Sequence, residues 1–110
     1  MGFAVNIDNN DLSGIETSEL PSIVDFWSPN CPPCNMMLPA VENLAKEYLG
    51  RIQVAKVKAE ENRDLCKRVG ITALPTFIVF RNGQEVNRLV GQVSWSALKQ
   101  FVETNGDILR

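Results

Sequence analysis

The chain has 110 residues, of which 45% are apolar, and this content is enough to form one hydrophobic core without crosslinks. A net charge of −2 without clustered Lys and Arg argues against a nucleic-acid partner, and no apolar run approaches the ~20 residues that span a bilayer. Three cysteines are too few for a secreted disulfide scaffold, and the N-terminus lacks a basic-flanked apolar leader. We therefore expect one soluble, monomeric, cytoplasmic domain over residues 1–110, with no membrane partner.

Short β-rich segments alternate with helical patterns along the chain. Strands are predicted over five segments: 3–7, 22–27, 53–58, 76–81 and 85–90. Such alternation is typical of an α/β domain that contains βαβ units. Asn82-Gly83 predicts a two-residue hairpin that makes the last two strands antiparallel, because both central residues of a type I′ turn need positive φ. The second and third strands should be parallel, joined by a right-handed crossover.

Three helices are predicted from apolar spacing and from capping residues. The first follows the second strand, is kinked at Pro39 and ends near Gly50. Its apolar face consists of Met37, Val41, Leu44, Ala45 and Tyr48. The second begins after Asn62 as its N-cap and is stopped by Gly70, and the third begins after Ser94. The inner face of that last helix consists of Trp95, Leu98, Phe101 and Val102.

Cys31 and Cys34 follow the second predicted strand and are separated by Pro32 and Pro33. A pair at this spacing forms a disulfide only if the backbone turns back on itself, as it does in the first turn of a helix. The unpaired N–H groups and the positive end of that helix favour a thiolate at the first sulfur, so Cys31 is the candidate nucleophile. The alternatives are a static disulfide and half of a zinc site, but the chain has no His and Cys66 is its only further cysteine.

Further motifs surround the cysteine pair in a recognisable order. Val24-Asp25-Phe26-Trp27 precedes the pair, and the segments after it are Pro39, Val54-Ala55-Lys56-Val57, Gly70-Ile71, Leu74-Pro75-Thr76, Phe80-Arg81-Asn82-Gly83 and Gly91. In this order they resemble the thioredoxin family over nearly the whole chain, from about residue 5 to residue 102. The resemblance implies an α/β thioredoxin fold, in which a central mixed five-stranded β-sheet is flanked by four helices in three α/β/α layers.

The resemblance also implies a protein-disulfide reductase that needs no cofactor and no metal. Cys31 would attack the disulfide of a protein substrate, and Cys34 would then resolve the mixed disulfide. Asp25 alone would indicate an edge residue facing water, whereas the matching family residue is buried behind the second cysteine as its proton acceptor. A thioredoxin reductase, flavin- or ferredoxin-linked, or an equivalent electron donor would reduce the Cys31–Cys34 pair again.

Other residues near the pair acquire roles through the same resemblance. Redox tuning is expected from Pro32, Pro33 and Lys56, although a lone Lys on a strand is more often simply solvated. A shallow substrate-docking surface, in which the proline after Leu74 is cis, would consist of Trp27, Ala73, Leu74, Pro75, Thr76 and Gly91. We expect Cys66 to be a buried free cysteine that acts as a small hydrophobe, with a regulatory or dimer-forming thiol as the alternative.

Three positions depart from the usual family pattern. Pro32 replaces the usual Gly, Asn30 replaces the common Trp, and Asn35 replaces the common Lys. Because the intervening dipeptide changes the reduction potential, an oxidase or isomerase remains an alternative function. A non-enzymatic docking module is a second alternative, against which the retained cysteines, Asp25 and the Leu74-Pro75-Thr76 element argue.

Overall fold

The computed structural model describes residues 2–108, so Met1, Leu109 and Arg110 lie outside the described residues. Within this range, five strands form a sheet in the order β1-β3-β2-β4-β5. Their bounds are β1 Val5–Ile7, β2 Ser22–Trp27, β3 Gln53–Lys58, β4 Thr76–Arg81 and β5 Gln84–Val90. The second, third and fourth match the predicted bounds, and β5 begins one residue earlier than predicted. β1 begins two residues later, because the amides of Phe3 and Ala4 donate to the Glu42 carboxylate.

The sheet is mixed, as the resemblance implied. β3 lies parallel to both β1 and β2, whereas β4 lies antiparallel to β2 and to β5. Asn82 and Gly83 connect β4 to β5 with φ values of 54° and 77°, which confirms the predicted hairpin. The parallel register places Asp25 beside Lys56 on neighbouring central strands.

Within the described part of the chain, four helices flank the sheet. They are α1 Ser13–Glu16, α2 Pro32–Glu47, α3 Arg63–Val69 and α4 Trp95–Asn105, with a 3₁₀ turn at Ala59–Glu61. α2 continues through Pro39 and ends three residues before Gly50, and its predicted apolar face is buried. α3 ends at Gly70 in the left-handed conformation, and the Ser94 hydroxyl accepts the Ala97 amide at the start of α4, as predicted. Among residues 2–108, no helix is long and apolar enough to cross a bilayer.

Two cores lie on opposite faces of the sheet. On one face, Ile23 and Phe77 belong to a cluster with Val41 of α2 and Leu98 of α4. The cluster on the other face consists of Ile7, Leu12, Ile15, Val24, Phe26, Ala55, Val57, Leu65, Ile78 and Phe80, and so includes residues of α1 and α3. Because side chains alternate along a strand, Asp25 shares the α2/α4 face with Ile23. The three-layer α/β/α arrangement therefore places this carboxyl under the helix that begins at the cysteine pair.

Asn62 is the N-cap residue of α3, as predicted, but its side chain makes no capping hydrogen bond to the helix. Asn62 precedes the helix, but its amide group donates to the carbonyls of Lys58 (3.0 Å) and Ile7 (3.3 Å), and its Oδ1 accepts the Asn10 amide at 2.9 Å. Asn10 supplies the side-chain hydrogen bond to the first turn of α3 instead, since its Oδ1 accepts the amide of Leu65 at 3.0 Å. Asn62 is fully buried, so contacts between distant segments outweigh the local capping preference.

Candidate active site

The cysteine pair lies where β2 gives way to α2. Cys31 is the N-cap residue of α2, and its Sγ accepts a hydrogen bond from the Cys34 amide at 3.3 Å. Pro32 and Pro33 occupy the first turn, where an amide N–H has no partner within the helix. Cys31 and Cys34 form a disulfide bond. The sequence around the pair therefore starts the helix and presents its positive end to Cys31 Sγ.

The two sulfurs differ in their access to solvent. Cys31 is half-buried at the surface, whereas Cys34 is fully buried beneath it. Cys31 Sγ also lies 3.8 Å from the carbonyl oxygen of Leu74, on the loop that leads into β4. A substrate sulfur can therefore approach Cys31 but not Cys34, which is the difference that a nucleophile and a resolving thiol require.

Side-chain hydrogen bonds hold the loop that precedes Cys31. The Ser28 hydroxyl donates to the Glu60 carboxylate at 2.8 Å and accepts the Asn30 amide at 3.2 Å. The Asn35 side-chain amide donates to the Pro29 carbonyl at 2.9 Å. Asn35, one of the departures from the family pattern, therefore fixes the loop in front of the nucleophile through its side chain, whereas Asn30 contributes only its backbone amide.

Asp25 is a buried acid on the α2/α4 face of the sheet. Only 2% of its surface is exposed, and neither carboxylate oxygen has a hydrogen-bond partner within residues 2–108. Burial raises the pKa of Asp25 to about 7, and attraction to the Lys56 ammonium opposes this rise without cancelling it. A carboxyl with this pKa can take up and release a proton near neutral pH, as a proton acceptor must.

Lys56 lies beside Trp27 rather than in a close ion pair with Asp25. Its Nζ is 5.8 Å from the centre of the Trp27 ring and 3.7 Å from Glu42 Oε2. Lys58 Nζ lies 5.7 Å from the same ring. Behind Trp27 is a cleft of about 260 Å³ lined by Asn6, Ile7, Asp8, Trp27, Lys56, Lys58 and Glu61. Lys56 is the register neighbour of Asp25, as expected, but it also forms an ion pair with Glu42 that the sequence did not indicate.

Of the expected docking residues, Leu74 lies next to Cys31, with its carbonyl oxygen 3.8 Å from Cys31 Sγ. The Leu74–Pro75 peptide bond is cis, as the resemblance implied, and Pro75 is buried with its carbonyl accepting the Gly91 amide at 2.8 Å. Gly91 has a φ of 99°, a conformation that L side chains rarely adopt. Ala73 is exposed, and Leu74 and Trp27 are half-buried. The cis peptide bond and the Leu74 carbonyl therefore lie beside the nucleophile, and Ala73 is open to solvent one residue before them.

Thr76 requires a correction, because its side chain does not line the expected docking surface. Only 1% of Thr76 is exposed, and its hydroxyl donates to the Ala73 carbonyl at 2.6 Å. The first residue of β4 is covered by the loop it follows, so the hydroxyl is used within the protein. Thr76 therefore holds the docking loop from beneath.

Cys66 also differs from its expected environment. It has no disulfide partner among the described residues, as predicted, but it is half-buried at the edge of the α1/α3 core. Burial raises the pKa of its thiol. Cys66 lines a groove of about 330 Å³ that also contains Ser28, Ala59, Glu60, Arg63 and Leu74. It packs as an apolar side chain at the margin of the core rather than inside it.

The sequence prediction missed Glu42 and the Ser28–Glu60 pair. Glu42 lies on the i, i+4, i+8 row that runs along α2 from Cys34 through Leu38, and this spacing is the one signal that connects it to the site. Ser28 and Glu60 are 32 residues apart, and no local pattern joins them.

Comparisons with known proteins agree with this geometry. The family model described as thioredoxin matches residues 5–104. Thioredoxin 1 of Nostoc sp. is 42% identical over 86 residues, covering 78% of this chain and 80% of the relative. Thioredoxin of Synechocystis sp. is 40% identical with the same coverage, and the chloroplastic M-type thioredoxin of Pisum sativum is 40% identical over 78% of this chain and 50% of its own length. At the start of α2, a half-buried cysteine is bonded to a buried one, as the chemistry of disulfide exchange requires. The chain belongs to the thioredoxin family and is a protein-disulfide reductase.

Proposed function

We propose that Cys31 attacks accessible disulfides of protein substrates and that Cys34 resolves the resulting mixed disulfide. The observation that carries this assignment is the half-buried Cys31 at the positive end of α2, bonded to a fully buried Cys34. Attack forms a bond between Cys31 Sγ and one substrate sulfur, and the other substrate sulfur leaves as a thiolate. Cys34 then forms the Cys31–Cys34 disulfide and releases the second substrate thiolate, so the substrate gains the two electrons that the pair loses.

Asp25 is proposed to accept the proton of Cys34 in the second step. Its burial on the face under α2 and its pKa of about 7 support this role. Re-reduction of the pair would come from a thioredoxin reductase, flavin- or ferredoxin-linked, or from an equivalent dithiol donor. Dithiothreitol can replace that donor in an assay, because it supplies the same two electrons by the same exchange chemistry.

Docking of the substrate chain is proposed to use Trp27, Ala73, Leu74 and Gly91 around Cys31. Ala73→Arg places a long charged side chain on this surface without filling the core, since Ala73 is exposed. With dithiothreitol as donor, we expect the KM for insulin to rise about tenfold, the change that corresponds to about 1.4 kcal/mol of lost docking energy. Direct reduction of the Cys31–Cys34 disulfide by dithiothreitol should be unchanged.

Thr104→Arg is the matched control, because Thr104 is exposed on α4, outside the proposed docking surface. Equal KM values for the two variants and the wild-type protein would remove Ala73 from the docking surface. An absence of insulin reduction by the wild-type protein would contradict the proposed function itself.

A further inference from the structure

Glu42 contacts two parts of the molecule at once. Its Oε1 accepts the amides of Phe3 at 2.5 Å and Ala4 at 3.3 Å, and its Oε2 lies 3.7 Å from Lys56 Nζ. The side chains of Glu42 and Lys56 are 31% and 18% exposed, so solvent screens this ion pair only in part. One carboxylate therefore binds both the segment before β1 and the ammonium nearest the buried acid.

Lys56 faces two acids, and it pairs closely with only one of them. Asp25 is its register partner on β2, so both side chains leave the sheet on the same face. The ion pair nevertheless forms with Glu42, while the Lys56 ammonium also contacts the face of the Trp27 ring. The Lys56 ammonium thus contacts Glu42 and Trp27, while neither oxygen of Asp25 has a hydrogen-bond partner within residues 2–108.

We propose that Glu42 is a positioning residue for disulfide exchange, because it holds the Lys56 ammonium away from Asp25 and so keeps that carboxyl able to carry a proton. The inference rests on the proposed role of Asp25 as the proton acceptor of Cys34. Without the Glu42 charge, the ammonium would be drawn toward the unpaired Asp25 oxygens, and their ionised form would gain stability.

Charged and titratable groups reach this region from several elements. Around Asp25 and Lys56 they are Glu42 and Cys34 on α2, Lys58 on β3, Glu61 in the 3₁₀ turn and Asp8 after β1, of which Cys34 titrates only when the disulfide is reduced. β4 places the apolar Phe77 beside Asp25. Lys58 Nζ lies 3.6 Å from Glu61 Oε2, so its charge is already compensated. The Lys56–Glu42 pair is therefore the contact through which a substitution on α2 would change the charge near Asp25.

Glu42→Gln tests the inference, because the amide oxygen can still accept the Phe3 and Ala4 amides while the charge is lost. Carbon NMR of the Asp25 carboxyl in the oxidised protein should show its pKa falling by about 1, as expected when a positive charge approaches a carboxylate. The acid limb of the rate at which mixed disulfides resolve should move to lower pH by the same amount. Glu47→Gln is the control, since Glu47 pairs with Lys99 at 2.7 Å elsewhere on α2 and its loss should leave Asp25 unchanged.

A double substitution separates an effect carried by Lys56 from a direct effect of the Glu42 charge. In a Lys56→Met background, Glu42→Gln should no longer change the pKa of Asp25. An unchanged or raised pKa in the single variant, or an equal decrease in both backgrounds, would overturn the inference. If the pKa falls as expected while neither Glu42→Gln nor Asp25→Asn alters the resolution rate, the hold of Glu42 on Lys56 is upheld and the proposed role of Asp25 fails.

Discussion

Replacing Cys31 with serine should reduce disulfide exchange to the uncatalysed rate, whereas replacing Cys34 with serine should trap the substrate on the protein. A serine hydroxyl is not ionised near neutral pH, so Cys31→Ser removes the thiolate that attacks. Cys34→Ser keeps Cys31 at the positive end of α2, where the Cys34 amide donates to its sulfur. Attack should then proceed, and the mixed disulfide should accumulate because no second thiol resolves it.

Insulin turnover and mass spectrometry under non-reducing conditions measure these two outcomes. Cys66→Ser is the matched control, because Cys66 is half-buried on α3 and takes no part in the proposed exchange. That variant should turn over substrate at the wild-type rate. Continued turnover by Cys31→Ser, together with no adduct in Cys34→Ser, would show that the roles of the two cysteines are assigned wrongly.

Replacing Asp25 with asparagine should slow the resolving step and should stabilise the fold relative to the wild-type protein by an amount that grows as the pH rises. Asparagine has no proton-accepting carboxylate, so Cys34 would lose its proton acceptor. General base catalysis of this kind contributes a factor of at least about 100, and we expect a decrease of that order near pH 7. Rapid-mixing measurements of mixed-disulfide decay give the rate directly.

The stability change follows from the pKa of Asp25, which is about 7 in the folded protein and about 4 in an unfolded chain. A raised pKa means that ionisation destabilises the fold, so wild-type stability falls as pH rises from about 4 and levels off above 7. The asparagine side chain of the Asp25→Asn variant does not ionise. The free energy of unfolding of the variant minus that of the wild-type protein should therefore increase by about 2–3 kcal/mol from pH 5 to pH 8. Urea titrations of the oxidised proteins at both pH values measure this gain.

Two results would remove Asp25 from both arguments. The first is an equal rate of mixed-disulfide decay in the two proteins at pH 7. The second is a stability difference that stays constant from pH 5 to pH 8. Glu103→Gln is the control for the rate of mixed-disulfide decay. Glu103 lies on α4, where its carboxylate accepts the Tyr48 hydroxyl, away from the cysteine pair.

The central strands and the cysteine pair could be predicted from sequence because their signals are local. β2, β3 and β4 are β-rich runs bounded by turn residues, and the Asn82-Gly83 hairpin needs only its own two residues. The helix after the pair was recognisable from its apolar spacing. The family resemblance then supplied the burial of Asp25, which its own strand did not reveal.

Features that depend on contacts between distant segments could not be predicted in this way. α1 has four residues, too few for a helical period, and it forms because Ile15 packs against the underside of the sheet. Asn62 is the N-cap residue of α3 as predicted, but the side chain that accepts an amide of the first turn belongs to Asn10, 55 residues before Leu65. Thr76 was placed at the surface by its position in a motif, although its hydroxyl is used beneath the loop. The ion pair of Glu42 with Lys56 depends on how α2 lies over β3, which no local pattern encodes.

The equilibrium reduction potential of the Cys31–Cys34 couple tests the assignment as a protein-disulfide reductase most directly. It can be measured by equilibrating the protein with a series of thiol–disulfide buffers and counting the free thiols at each ratio. We predict a value of about −270 mV, at which the dithiol gives its electrons to the labile protein disulfides of higher potential. A value of about −120 mV would contradict this assignment. A couple with so high a potential accepts electrons from the thiols of its substrates and so forms disulfides in those substrates.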